Sequence, residues 1–168
     1  LSPTTKTLVV TSQGDLLNRY ESSSTAAEIL EDRGQVDRLI FSPDGQHLLG
    51  LNELGRTLTI WETNTWQPIK TIGSFGASLY DAAISRDGTL IATASSSARI
   101  YRFGQNVPLI KFRETGHIMR SVAFSPDGQQ LISGAADASL TIWEVATGNA
   151  LHTIRRHAKV VRCLTYSP

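Results

Sequence analysis

A short pattern recurs at near-constant spacing, and that spacing constrains the fold more than any other feature. Phe41-Ser42-Pro43-Asp44-Gly45 returns as Ile84-Ser85-Arg86-Asp87-Gly88, then as Phe124-Ser125-Pro126-Asp127-Gly128, and in part as Tyr166-Ser167-Pro168. The chain also begins on it, with Leu1-Ser2-Pro3. The apolar residue of the pattern advances by 40, 43, 40 and 42 residues between Leu1 and Tyr166. A period of this size marks a repeat architecture in which each unit is one supersecondary element stacked on the next. Such chains present surfaces more often than catalytic clefts.

The last full unit reads most clearly. Arg120 to Phe124 is a short strand ending at the turn Pro126-Asp127-Gly128, where Pro presets φ and Gly tolerates positive φ. Gln130 to Ala135 is a second strand, and Ala136-Asp137-Ala138 turns the chain again. Ser139 to Val145 alternates, with Leu140 and Ile142 on one face and Thr141 and Trp143 on the other. Ala146-Thr147-Gly148-Asn149 is a third turn and Ala150 to Ile154 a fourth strand. Four short strands with tight turns per unit predict an antiparallel sheet repeated radially.

The residues also carry a resemblance. Ser133 through Glu144, with Asp137 and the run Leu140-Thr141-Ile142-Trp143-Glu144, resembles the WD-repeat consensus with Glu for the usual final Asp, and Gly116-His117 resembles its opening Gly-His. The resemblance covers the whole chain and implies an all-β, WD40-type β-propeller of four-stranded blades, lettered a to d from the channel outward. The Ser-Pro-Asp-Gly and Thr-Gly turns are similar to bacterial-type repeats, whose propellers are often appended to a kinase, protease or signalling ATPase. The other units depart from the pattern. The second keeps Trp61 but has Arg33-Gly34 for Gly-His, and its hairpin Asn52-Glu53-Leu54-Gly55 is one residue longer. The third has Phe103 in the Trp slot, Ser97 in the Asp slot and Gly76-Ala77 for Gly-His. The first has Tyr20 for Trp and Gly14 for Asp, followed by a polar loop, Ser22 to Thr25.

The expected units are about 1–40, 41–83, 84–123 and 124–165, with 160–166 as a strand that completes or starts a blade. Strand a of the first unit is missing apart from Leu1, so the four blades' worth of strands is circularly shifted. Three assemblies fit: part of a larger ring, half of a dimeric eight-bladed ring, or a four-bladed ring, since blade counts of about four to eight are known. The chain lacks an initiator Met and starts inside a motif, as expected of an excerpt.

Composition narrows the partners. With 16 Lys+Arg against 15 Asp+Glu there is no strong electrostatic footprint for nucleic acid or a membrane surface. The single cysteine, Cys163, excludes an intrachain disulfide framework and argues against a cysteine-based zinc site. It is expected on an inner strand near the channel, as a small buried hydrophobe. No apolar stretch approaches transmembrane length, and a cytoplasmic location is expected. His152 and His157 lack companion metal ligands, and no phosphate-cradling glycine motif is present, so no cofactor is expected.

The resemblance implies that His117, Ser133, Asp137 and Trp143 form the structural tetrad of the fourth unit, a hydrogen-bonded chain from Asp to His to Ser to the indole. A Ser, a His and an Asp also suggest a hydrolase triad, but no Gly-x-Ser-x-Gly elbow accompanies them. Partner contact is expected on the rim. The family position four residues before the motif's apolar residue points there, and it is held by Asp37, Tyr80, Arg120 and Arg162. Two arginines and an aromatic suit an acidic or phosphorylated segment. Trp66 stands at the turn position of Gly148 and is expected either to cap neighbouring apolar surface or to contact a partner. The function expected is a non-enzymatic interaction scaffold for a protein or peptide, with a homodimer as one assembly. The alternatives are a channel-centred ligand-binding or enzymatic propeller, with Asp37, Asp81, Arg120 and Arg162 on its inner strands, and a purely architectural, self-assembling fragment.

Overall fold

The computed structural model describes residues 7–12, 16–21, 27–30, 36–52, 54, 56–73, 75, 77–112 and 116–167, with the backbone alone before residue 36. It is all-β. The strands β1 (Thr7–Ser12), β2 (Leu16–Glu21) and β3 (Ala27–Leu30) form a three-stranded sheet. Three four-stranded sheets follow: β4 (Arg38–Phe41) to β7 (Pro68–Ile72), β8 (Asp81–Ile84) to β11 (Pro108–Lys111), and β12 (Met119–Phe124) to β15 (Ala150–Ile154). In the second sheet β5 is His47–Asn52 and β6 Thr57–Glu62; in the third β9 is Leu90–Ala94 and β10 Ala98–Arg102; in the fourth β13 is Gln130–Ala135 and β14 Leu140–Glu144. Every neighbouring pair is antiparallel and strand order follows the chain.

The three four-stranded sheets stack face to face through apolar cores. Leu49, Leu58, Ile60 and Ile72 of the second sheet pack with Ile84 and Ile91 of the third. Ile100 and Phe112 of the third pack with Val122, Leu131 and Trp143 of the fourth. Among these three sheets the first strands meet in turn, β4 against β8 and β8 against β12. This is the arrangement of consecutive propeller blades with strand a innermost.

The recurring pattern is a built turn. Each serine hydroxyl donates to the aspartate two residues on, at 2.5–2.6 Å, for Ser42–Asp44, Ser85–Asp87 and Ser125–Asp127. The same aspartate accepts the backbone N–H of Gln46, Thr89 or Gln129. Gly45, Gly88 and Gly128 close the turns at φ of 70–73°. The serine hydroxyls, then these backbone N–H groups, hold all three carboxyls below the ordinary carboxylate range. A depressed folded-state pKa contributes stability above the unfolded pKa and loses it as pH falls through the folded one. Urea midpoints should therefore drop on acidification below about pH 4, and the drop should be shallower for the triple variant Ser42→Ala, Ser85→Ala, Ser125→Ala. An unchanged acid slope in that variant would remove the turns from the account.

Expectations for two segments are corrected. Residues 160–166, expected as an inner strand, form no ladder among the described residues. A strand needs a partner, and among the described residues β1 pairs with β2 alone. The segment nevertheless begins as β12 does: Val161 N–H donates to Ala135 O at 3.4 Å, repeating Met119 N–H to Ser95 O at 2.9 Å one blade earlier. Within it Val161 is buried, whereas Cys163 is exposed rather than a buried hydrophobe. The second correction concerns the third unit. Ile91 pairs with Tyr101 as Leu131 pairs with Trp143, so Tyr101 and not Phe103 fills the Trp slot. The two differ by one strand period and share a face, which is why spacing alone confuses them. The positions Leu1, Gly14, Ser22 to Thr25, Arg33-Gly34, Glu53, Gly55 and Gly76 lie outside the described residues.

Candidate functional site

Four side chains from three blades and the C-terminal segment converge on one cleft of about 250 Å³: Arg38, Tyr80, Arg120 and Arg162, with Val160 beside them. Tyr80 directly precedes β8, where its N–H donates to Ala94 O at 2.9 Å. Arg120 is the extra residue of a β-bulge, because Met119 pairs with Ala135 and Ser121 already with Gly134. Bulges re-aim side chains, and Arg120 lays its guanidinium over the Tyr80 ring with Cζ 3.9 Å from the centroid. Such a stack orients the cation while leaving N–H donors for an anion.

Of the four rim residues expected, Tyr80, Arg120 and Arg162 line this cleft and Asp37 does not. Arg38 takes the place instead. Its Nε lies 3.2 Å from Asp81 Oδ1, and the two side chains are 42% and 4% exposed. Asp81 also accepts the Ser121 hydroxyl at 2.8 Å and the Val122 N–H at 3.1 Å, both on the next blade's β12. Ala82 N–H completes the set at 2.9 Å. Burial pushes the Asp81 carboxyl above its ordinary range, against the opposing pull of Ser121, Arg38 and the two backbone N–H groups. Arg38, Asp81 and Ser121 each stand three residues before Phe41, Ile84 and Phe124, so they form one layer across three inner strands. That recurring offset was the sequence signal for them. A larger cavity of about 480 Å³ lies along the same strands, bounded by Arg38 and Asp81 at one side and by Phe124, Leu164 and Tyr166 at another.

The residues expected as a tetrad form two pairs. The Trp143 indole N–H donates to Ser133 Oγ at 2.8 Å, deep in the blade. His117 Nε2 lies 3.3 Å from Asp137 Oδ2, with the His117 side chain 48% exposed. Asp137 also accepts the Ser139 hydroxyl and N–H. Burial alone would raise the Asp137 carboxyl, but these bonds together with His117 and Arg155 hold it below the ordinary range. No bond joins His117 to Ser133 among the described residues. The short segment from His117 to Phe124 leaves the imidazole at the blade surface.

The other blades solve the same position differently. In the second, Gly50 takes the Ser133 position and the Trp61 ring sits against its backbone. In the third, Thr93 and Ser97 bury hydroxyls with no partner among the described residues. Trp66 adopts φ of 57°, the left-handed region that Gly148 occupies at 74° in the fourth blade. It is half-buried and packs on the core formed by Leu48 and Trp61. Among the described residues no group of His, Cys, Asp or Glu could hold a metal ion, and no helix is long and apolar enough to cross a membrane.

Radially stacked four-stranded sheets with a Trp–Ser bond inside one blade define the chain as a β-propeller repeat protein. The family profile described as anaphase-promoting complex subunit 4 WD40 domain matches residues 82–168, just over half of the chain, and the chain belongs to the WD40-repeat family. It is 29% identical over 154 residues to the WD repeat-containing protein sll1491 of Synechocystis, covering 88% of this chain and 43% of that protein. It is 25% identical to the U3 small nucleolar RNA-associated protein 15 homolog of Gallus gallus, covering 80% and 26%. Among solved structures, a chain of the mitotic checkpoint complex superposes with a TM-score of 0.83 at 16% identity, covering 95% of this chain and 51% of that one. The RRP9 WD40 repeats superpose with a TM-score of 0.71 at 19% identity, covering 79% and 42%. These likenesses establish the fold. The chain spans less than half the length of those two curated relatives.

Proposed function

We propose that the chain is a non-enzymatic docking module that grips an acidic or phosphorylated protein segment at the rim cleft. The observation that carries this is the convergence of Arg38, Arg120 and Arg162 with Tyr80 on one small cleft. Guanidinium groups bind carboxylate and phosphate through paired N–H donors, and Tyr and Arg are the residues that dominate interface energetics. The stacked inner strands hold the cleft open before a partner arrives, so little ordering entropy opposes binding. Names such as mitotic checkpoint complex and anaphase-promoting complex, attached to proteins of like fold or family, support a role in assemblies. A protein segment suits the cleft better than nucleic acid, since the chain's net charge is only +1. The non-enzymatic reading is supported by Ser133, whose hydroxyl is buried and takes the Trp143 indole instead of facing a base. We keep the repeat units 1–40, 41–83, 84–123 and 124–165 as the working division of the chain.

Calorimetric titration with an acidic peptide, its phosphorylated counterpart and an RNA oligomer tests the reading. Arg120→Ala combined with Arg162→Ala should weaken peptide binding by tenfold or more, a loss of about 1.4 kcal/mol or greater. Arg120→Ala alone should shift folding stability by less than about 1 kcal/mol, since it removes one partly exposed cation–π contact. Binding that survives the double substitution, or that occurs only with RNA, would overturn the proposal.

A further inference from the structure

The cleft's third arginine is aimed by a residue that does not line it. Arg38 starts β4, and its long side chain has many rotamers. Among the described residues one bond restrains it: Nε to Asp81 Oδ1 at 3.2 Å. Asp81 is itself immobile. Its second oxygen takes the Ser121 hydroxyl and the Val122 N–H from the adjacent blade, and Ala82 N–H holds the first. The carboxylate is thus fixed by four donors on three inner strands before any ligand is present. Because Nε is occupied, the two terminal nitrogens of Arg38 remain for other partners, and they make no hydrogen bond among the described residues. In the orientation bonded to Asp81, Arg38 lines both the rim cleft and the larger cavity, which Asp81 also borders.

We propose that Asp81 is the positioning residue of the rim cleft: locked by the neighbouring blade, its carboxylate turns Arg38 toward Arg120 and Arg162, so that an anionic group meets three guanidinium groups instead of two. This rests on the rim cleft being the anion site. Asp81 needs no contact with the ligand. It acts by keeping Arg38 in the competent orientation, and the apparent affinity scales with the fraction of molecules in that orientation.

The test titrates the full chain with inorganic pyrophosphate and follows the arginine Nε–H resonances by NMR, with the backbone amide spectrum reporting the fold. In wild type the Arg38, Arg120 and Arg162 signals should move together. Asp81→Asn should weaken binding by about three- to tenfold, as expected when Arg38 spends most of its time in other rotamers. Arg38→Ala should weaken it to a similar degree, and Asp81→Asn should cost nothing further in the Arg38→Ala background. That non-additivity separates positioning from a structural effect, which would weaken both backgrounds equally. Arg38→Lys leaves every bond from β8 and β12 to Asp81 intact, so it reports even if Asp81→Asn fails to fold. Its single ammonium is taken up by Asp81, and binding should fall as for Arg38→Ala. Undiminished affinity in Arg38→Lys, or an equal Asp81→Asn loss with and without Arg38, overturns the proposal. If Arg120→Ala abolishes binding while the Arg38 and Asp81 variants bind like wild type, the rim reading stands and the positioning role falls. If no arginine responds in wild type, both fall.

Discussion

Trp143→Ala should lower folding stability by about 3–5 kcal/mol, the range for deleting a large buried aromatic. The indole is 2% exposed and packs between two blades, its ring centroid 5.0 Å from that of Phe112 on the preceding sheet. Truncation would open a cavity in the cluster that holds Phe112, Leu131 and Val145, all buried in the close-packed core between the two blades, where neighbours relax only in part. It would also strip the buried Ser133 hydroxyl of its donor. Trp143→Phe separates the two effects, because the ring remains while the N–H is lost; its cost should be nearer the price of one buried hydrogen bond, about 1–3 kcal/mol. Urea unfolding of both variants checks this. A Trp143→Ala protein that unfolds with wild type would mean that the fourth blade does not contribute to the cooperative core.

Gly50→Ala is the second large effect, and it runs against the usual expectation for a strand. Replacing a strand glycine ordinarily helps, since glycine weakens strand interiors. Here a Cβ at residue 50 would stand 2.5 and 2.7 Å from ring atoms of Trp61 and 3.1 Å from Val36. Trp61 is buried among Leu48, Leu39 and Phe41 and has nowhere to move. Overpacking of this kind costs about 1–3 kcal/mol. Trp61→Phe introduced into Gly50→Ala should recover part of the loss by freeing that volume, although Trp61→Phe alone destabilises. Equal unfolding midpoints for wild type and Gly50→Ala would show that the ring does not sit on the Gly50 backbone.

The contrast between the two blades explains how much of the site was legible. The WD-repeat resemblance pointed to Ser133, Asp137, Trp143 and His117 in the fourth unit, and the structure joins them as a Trp–Ser and a His–Asp pair. The missing His117–Ser133 contact follows from the shortened segment before β12, which spacing only hinted at. In the second unit the absence of a serine reads as decay, yet Gly50 and Trp61 make a close fit of their own. Trp66 was legible as an anomaly and its packing was not, because what a turn aromatic covers depends on neighbouring strands.

The sequence by itself determined the repeat, the four-stranded unit, the strand boundaries of the last blade to within one residue and the Ser-x-Asp-Gly turns. The turns rest on hydrogen bonds between residues two to five apart and the strands on the alternation of a single segment, so both are written in the local pattern. Only the tertiary structure decided which rim residues meet. Asp37 and Tyr80 hold the same register, with Asp37 N–H on Leu51 O and Tyr80 N–H on Ala94 O, yet Tyr80 lines the cleft and Asp37 does not, Arg38 standing there instead. Asp81 reads along the chain as one more acidic residue near a strand start. Its four donors lie on three different inner strands, two of them some 40 residues away on the next blade. No local pattern encodes that meeting, because it is set by how far each sheet turns from the last.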